Sequence, residues 1–366
     1  MTRVLVIKTG ALGDVLRTTA ILPGLAARCE PLELVWLTAR GAEPLVQHHR
    51  LVERVVAVDL KDQAALAAVQ VQLARERWDW IISLDDEAPL CALASAVAAG
   101  SPRARLSGAH VGADGARTYT ADVAPWFDMG LLSKLGKAAA DRLKVLNQRS
   151  HPALYAEMLG IEEGRPELPL DDAARAHAAA FVLRHGLEGA RTIGLNTGAG
   201  GRWTSKGLPV ERVVALAAAL DAELRRAEGA APVFVVLGGP AEGPRNAALL
   251  AGCAEVGVRA VDGGTDNGLL EFAALLERLD LLLTSDSLAL HLGVARDVPT
   301  VAFFAPTSAA EIELYGLGEK VASTAPDACS YKPDADNSTL TVERLAAAAL
   351  RTLARAPGRR RVAPRA

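Results

Sequence analysis

Apolar positions along this chain fall in short continuous runs rather than in long alternating ones. Residues 3–7 (RVLVI) open the series, and residues 34–37, 55–58, 80–84 and 105–107 continue it. A continuous apolar run of this length predicts a parallel strand buried on both faces. Ala-rich segments at 63–75 and 89–99, and the stretch at about 14–28 that follows a Gly-containing loop, read as helices between the strands. Strand–helix alternation at this spacing predicts a doubly wound parallel sheet with helices on both faces.

From 118 to about 171 the pattern weakens. Trp126 and Phe127 are mixed there with Asp128, Lys134, Asp141, Arg142, Lys144 and Arg149. The stretch reads either as an insertion over the ligand face of the first sheet or as two surface helices before a linker. The segment 167–172 (ELPLDD) is the candidate boundary. A second alternating series follows, with strands at 192–196, 233–237, 258–261, 281–284 and 300–304. Its helices are expected at 210–227, 245–253, 269–279 and 287–295, and a last one at 341–354 follows an irregular loop carrying Cys329, Tyr331 and Lys332. The expected fold class is α/β, two doubly wound domains in tandem (1–170 and 171–356) facing a cleft, with a tail at 357–366.

Composition narrows the function classes. The chain has 366 residues, half of them hydrophobic and 23% charged, enough to bury two cores. A net charge of −3 gives no reason to expect nucleic acid as a partner. Cys29, Cys91, Cys253 and Cys329 are far apart and form no C-x-x-C pair, which argues against a zinc site or a disulfide framework and for a reducing cytoplasm. Residues 1–8 run straight into a strand with no secretory signal, and residues 88–101 are too short to span a bilayer. The tail carries Arg359, Arg360, Arg361 and Arg365 without an acidic residue; it reads as a solvated end, or as an aid to anionic-lipid contact. The adjacent His48 and His49 read as surface.

Four loops at strand ends carry candidate chemistry. The first, residues 9–14 (TGALGD), lacks both the G-x-G-x-x-G and the Walker pattern. Gly10 and Gly13 permit close backbone approach to a ligand, and Asp14 either caps the first helix or accepts a proton from a substrate hydroxyl. The second, residues 195–209 (LNTGAGGRWTSKGLP), brings Thr197, Gly198, Gly200, Arg202 and Lys206 together as a cradle for a diphosphate. The third, residues 237–242 (LGGPAE), offers Gly239 for close approach by a nucleoside; Glu242 either binds ribose hydroxyls or merely occupies a first helical turn. The fourth runs from Asp286 to His291, where Asp286 or Ser287 caps a short helix and His291 lies one turn on. A helix start at the carboxyl end of a sheet favours anions. No set of Asp, Glu and His has the spacing of a metal site. The second domain would hold a phosphate-bearing donor, and the first would supply a base and the acceptor site.

Taken together these stretches resemble glycosyltransferase family 9, the ADP-heptose:lipopolysaccharide heptosyltransferase family. The opening RVLVIKTGALGDVLRTTAILPGL resembles the family's first strand, loop and Gly-Asp, and LNTGAGGRWTSKGLP resembles its donor-phosphate loop. TSDSLALHLGVARDVPTVAFFAPTSAAEIELYG resembles the C-terminal donor signature, and WFDMGLLSKLGKAAADRLK looks like a segment shared by some members. The resemblance implies a GT-B architecture of two Rossmann-like domains and inverting, metal-independent transfer without a cofactor. It makes Asp14 the general base, Lys206 the neutraliser of the donor diphosphate and Asp286 a hydrogen-bond partner of the sugar. Ser287, the adjacent helix amides and His291 would bind phosphate, and Glu242 is a weaker match for the ribose carboxylate.

The chain departs from the pattern where Ser287-Leu288 stands for the Thr-Gly of many members and Ala305 for Gly, which leaves the donor sugar open. Only Cys329 remains of the cysteines some members carry near that loop. The expected function is transfer of a sugar, heptose from ADP-heptose, to a lipopolysaccharide-core or other glycan or glycolipid acceptor, with peripheral contact at the inner membrane face. A nucleotide-sugar 2-epimerase and a non-catalytic nucleotide-sugar-binding protein are the alternatives.

Overall fold

The structure, a computed structural model, describes residues 1–198 and 203–356. The chain divides into two compact units, Met1–Pro169 and a second beginning at Leu170.

The first unit runs β1 (Thr2–Ile7), α1 (Leu12–Thr18), α2 (Leu22–Arg28), β2 (Leu32–Ala39), β3 (Arg54–Val58), α3 (Gln63–Arg75), β4 (Trp80–Ser83), α4 (Ala88–Gly100), β5 (Arg105–Val111), β6 (Arg117–Tyr119), α5 (Ala124–Phe127), α6 (Lys137–Leu146) and α7 (His151–Leu159). Its strands lie in the order β3-β2-β1-β4-β5-β6. β1 is central, with Ile7 opposite both Leu37 and Ser83. Leu5, Ile7, Val35, Leu37 and Ile81 form one buried cluster with Leu90, Leu93 and Val97 of α4. The runs in β1, β2 and β4 are therefore buried on both faces, whereas the edge strand β3 buries only Val58.

Three features depart from the expectations. The long helix expected at 14–28 is broken, because a single 3-10 turn (Thr19–Ile21) separates α1 from α2. The Thr18 and Thr19 hydroxyls donate back to the carbonyls of Asp14 (2.6 Å) and Leu16 (2.7 Å), and Pro23 in the first turn of α2 cannot continue an earlier helix. β6 was not expected and is antiparallel to β5, with Ala109 opposite Tyr119. The turn between them contains Asp114 and Gly115, and Gly115 takes a φ of 79°. His48 is exposed as expected, but His49 is buried; its Nδ1 accepts from the Leu51 N–H at 3.2 Å, and burial pushes its imidazolium pKa down.

The second unit runs α8 (Asp172–Arg184), β7 (Thr192–Asn196), α9 (Val210–Glu228), β8 (Val233–Val236), α10 (Gly243–Glu255), β9 (Ala260–Asp262), α11 (Leu269–Leu276), β10 (Leu281–Ser285), α12 (Leu288–Ala295), β11 (Thr300–Phe304), β12 (Gly318–Ala322) and α13 (Val342–Arg355). The sheet order is β12-β11-β10-β7-β8-β9, parallel throughout. Ile193, Leu195, Phe234, Val236, Leu283 and Val301 pack against Leu216 and Leu220 of α9 and Leu345 of α13. α8 and β12 are additions to the expected elements. β12 (GEKVA) buries only Val321, so its edge position leaves no apolar run to read. Among the described residues no helix is long and apolar enough to cross a membrane.

Candidate functional site

In the second unit the carboxyl ends of β7, β8, β10 and β11 lie along one edge of a parallel sheet, so their loops share that edge. Asn196 ends β7 opposite Thr284 of β10. Its Nδ2 donates to Thr284 Oγ1 (3.3 Å) and to Ser287 Oγ (3.1 Å). Ser287 is the extended N-cap residue of α12, yet its side chain makes no cap hydrogen bond to that helix. Asn196 holds the hydroxyl instead. The first-turn amides of α12 and its positive dipole end are thus not answered by the cap side chain, which suits an anion.

Lys206 closes the 3-10 turn Thr204–Lys206. Its Nζ donates to Asp286 Oδ2 (2.8 Å) and to the Asp286 carbonyl (2.9 Å). Both side chains are only 16% exposed. Burial by itself raises the Asp286 carboxyl pKa, but the charges of Lys206 and His291 and the Lys206 hydrogen bond outweigh it and hold it below the usual range. Asp286 is therefore an anion at neutral pH, fixed beside the start of α12.

The second side of the edge is built on Glu242. Its Oε2 accepts from the Gly239 N–H at 2.8 Å, closing the 3-10 turn Pro240–Glu242. A Cβ on Gly198 would lie 1.7 Å from Glu242 Oε1. Gly198 is glycine because the Glu242 carboxyl occupies its side-chain space. Ser285 Oγ donates to the Gly198 carbonyl (2.7 Å), tying this loop to the end of β10. The Thr197 hydroxyl accepts from Arg245 Nη2 at 3.0 Å, and the same nitrogen donates to the Leu208 carbonyl at 2.5 Å. Burial pushes the Arg245 pKa down. Arg245, like Asn196, was missed in the sequence; a polar residue that ends an apolar strand and an Arg in a helix's first turn are the only signals either one gives.

The turn that carries Lys206, between β7 and α9, is pinned by the segment between β12 and α13. Pro333 O accepts from Ser205 N (3.0 Å) and Thr204 Oγ1 (3.0 Å), and Asn337 Nδ2 donates to the carbonyls of Ser205 (3.2 Å) and Gly207 (2.8 Å). Cys329 and Tyr331 take φ values of 59° and 56° in the loop that supplies these contacts. Tyr331 OH donates to Glu311 Oε1 at 2.8 Å, and burial beside that carboxylate drives its pKa far up.

In the first unit Asp14 lies in the first turn of α1, whose extended N-cap is Ala11. Asp14 is thus not the cap of its helix. Its Oδ1 pairs with Arg17 Nη2 at 2.9 Å, and its side chain stays 38% exposed. The Arg17 guanidinium in turn lies 5.5 Å over the Trp126 ring. Gly13 is in the same helical turn, and a Cβ on Gly10 would meet no heavy atom within 4 Å. The loop backbone is held from beneath by Asp85, which sits after β4 and pairs with buried Lys8. Asp85 Oδ2 accepts from Thr9 Oγ1 at 2.7 Å, while Lys8 Nζ donates to the Gly10 carbonyl at 2.6 Å. Lys8 and Asp85 were not read as site residues; a Lys directly after an apolar strand and an acidic run after its neighbour were the available signals.

The structure therefore brings Thr197, Gly198, Lys206, Gly239, Glu242, Asp286, Ser287 and His291 to one edge of the second sheet, and Gly10, Gly13 and Asp14 to one loop of the first unit. Gly200, Arg202 and the tail at 357–366 lie outside the described residues. Among the described residues no group of three or more His, Cys, Asp or Glu is placed to hold a metal ion.

The model of the family described as glycosyltransferase family 9 (heptosyltransferase) matches residues 122–339. The chain belongs to glycosyltransferase family 9. Solved structures of like fold include a glycosyl transferase family 9 protein from Veillonella parvula, with a TM-score of 0.75 at 20% identity over 96% of this chain and 97% of that one. E. coli ADP-heptose LPS heptosyltransferase II follows at a TM-score of 0.66 and 18% identity, covering 97% and 99%. The E. coli heptosyltransferase WaaC with ADP gives 0.58 and 17%, covering 96% and 99%. Identities this low establish the fold, a GT-B architecture of two Rossmann-like parallel-sheet units. No curated protein sequence matches the chain. The family 9 chain is a glycosyltransferase.

Proposed function

We propose that the chain is an inverting, metal-independent glycosyltransferase that moves heptose from ADP-heptose to a lipopolysaccharide-core or other glycan acceptor. The second unit holds the nucleotide-sugar, and the first supplies the base and the acceptor site. The observation that carries the reading is the start of α12, where the cap hydroxyl is held by Asn196 and Lys206 is seated on Asp286. Two of the three Lys206 donors go to Asp286, and the third serves the donor diphosphate. His291 and the first-turn amides share the charge that builds on the departing diphosphate. The resemblance of SDSLALH to the family's donor signature supports the same assignment, and Glu242 is assigned to the ribose side.

In the proposed step Asp14 removes the proton of the acceptor hydroxyl as that oxygen bonds to the anomeric carbon. The anomeric carbon–oxygen bond to the diphosphate breaks, and its electron pair leaves with the diphosphate. Attack opposite the leaving group inverts the centre. The Arg17 pair holds the Asp14 carboxylate in place at the start of α1, where its side chain stays 38% exposed. A reaction of this kind runs in the cytoplasm, with a lipid-linked acceptor bringing the enzyme to the inner membrane face.

Two measurements test this. Asp14→Asn keeps the shape of the side chain and is expected to lower transfer by about 100- to 10,000-fold while ADP affinity stays unchanged; full retained transfer removes Asp14 as the base. Thermal-shift titration without metal should give a selective rise with ADP and ADP-heptose. Selective rises with UDP or dTDP compounds overturn the heptose assignment, and release of free epimerised sugar without an acceptor overturns transfer itself.

A further inference from the structure

The stretch between α5 and α7 breaks the usual rule for a solvated surface. Nine large hydrophobic side chains are exposed among the described residues, and five of them fall here: Leu131, Leu135, Leu143, Val145 and Leu146. Leu131 is 94% exposed and Leu146 71%. Within α6 only Ala140 is buried. At about 100° per residue, Ala139, Leu143 and Leu146 share one stripe of α6, while Lys137, Asp141 and Lys144 share the opposite one. Lys137 Nζ holds Asp141 Oδ2 at 2.6 Å on that polar stripe. The helix is amphipathic, and both of its faces meet solvent.

The segment is anchored. Tyr119 of β6 accepts from the Lys134 N–H at 3.0 Å and donates to Asp128. The Lys134 ammonium donates to the Tyr119 carbonyl at 2.8 Å and stands 4.3 Å over its ring. Leu131 and Leu135 thus flank a fixed point at the edge strand. Charge is the second observation. Between Met129 and Arg149 there are five basic residues, Lys134, Lys137, Arg142, Lys144 and Arg149, against the single acidic Asp141, in a chain whose net charge is −3.

We infer that this face docks on an anionic lipid bilayer. Leu131, Leu135, Leu143 and Leu146 enter the boundary between headgroups and acyl chains, and the exposed Arg142, which neighbours Leu146 one turn on, meets lipid phosphates. An apolar stripe flanked by cations is the composition that lies in a membrane interface. A second copy of the chain fits worse, because a two-fold contact would set the same basic patch against itself. The inference does not depend on which nucleotide-sugar the second unit holds, although a lipid-linked acceptor would be met on such a surface.

The test is co-sedimentation of the full chain with vesicles of phosphatidylethanolamine and phosphatidylglycerol, against vesicles of phosphatidylcholine alone. The native chain is expected to bind the anionic vesicles selectively and to release as salt is raised. A variant carrying Leu131→Ser, Leu135→Ser, Leu143→Ser and Leu146→Ser is expected to lose at least tenfold in bound fraction, with melting temperature and ADP binding unchanged. Absent binding by the native chain, or equal binding by the quadruple variant, overturns the inference. So does loss of binding only when Arg359, Arg360, Arg361 and Arg365 are replaced by Ser, which would make the tail the anchor. Concentration-dependent self-association that the quadruple variant abolishes, without vesicle binding, assigns the face to a second copy. Failed transfer with intact vesicle binding would sink the proposed reaction and leave this inference standing.

Discussion

Asp286 answers Lys206 through both its carboxylate and its carbonyl, so removing its charge leaves a largely buried ammonium without a counter-ion. Asp286→Asn should cost on the order of 1–3 kcal/mol at neutral pH. Because the folded carboxyl lies below its ordinary value, the stability it supplies is fully present above the unfolded value, about 3.9, and is lost as pH falls through the folded one. Melting curves of both proteins from neutral pH into acid should therefore show a gap that closes only below about pH 4. A gap that stays constant across the range would mean that the pair does not govern stability here. Asp14 shows what one residue's sequence context leaves open. As a polar residue after Gly13 it fits a helix cap and a base equally well. Ala11 takes the cap position and Arg17 takes one carboxylate oxygen, and neither fact is written in the spacing.

At the scale of elements, the turn that carries Lys206 owes its shape to chain far away in sequence. Asn337 closes Ser205 and Gly207 with two donated hydrogen bonds, and Arg212 Nη1 holds the Asn337 carbonyl at 2.8 Å. Asn337→Ala removes both donations, worth about 1 kcal/mol each. We expect a lower melting temperature and roughly 5- to 10-fold weaker ADP binding, since Lys206 belongs to the freed turn. An unchanged ADP titration beside a lowered melting temperature would confine the loop to a structural role. The strands buried along their whole length, such as Thr192–Asn196 and Thr300–Phe304, fall at the expected residues, and the edge strands β3 and β9 were read as well although β3 buries only Val58 and β9 no residue. Those the apolar pattern missed lie at edges. β6 pairs on one side only and β12 buries one residue of five, so neither needs a continuous apolar run.

For the whole molecule, each unit has its own sheet and its own buried cluster, and the family match lies across parts of both. Chains of more than one domain commonly unfold in more than one step. Calorimetry should resolve two transitions, and ADP near 100 times its dissociation constant should raise only the second unit's, by roughly 5–10 °C. Equal movement of both transitions, or of the first alone, would contradict placement of the nucleotide in the second unit.

The sequence by itself determined the α/β class, the alternation of buried strands and helices, and the four loops at strand ends. Those features follow from local apolar periodicity and from glycine and polar residues placed after strands, all short-range in the chain. Only the tertiary structure decided that Asn196 holds the Ser287 hydroxyl, that Arg245 lies under Thr197, that Asp85 supports Thr9 and that Glu242 fills the space beside Gly198. These partners are about 40 to 90 residues apart, and a hydrogen bond or ion pair is set by register between parallel strands rather than by spacing. The exposed leucines around α6 belong to the same class: periodicity marks an apolar stripe, but only packing shows whether anything in the fold covers it.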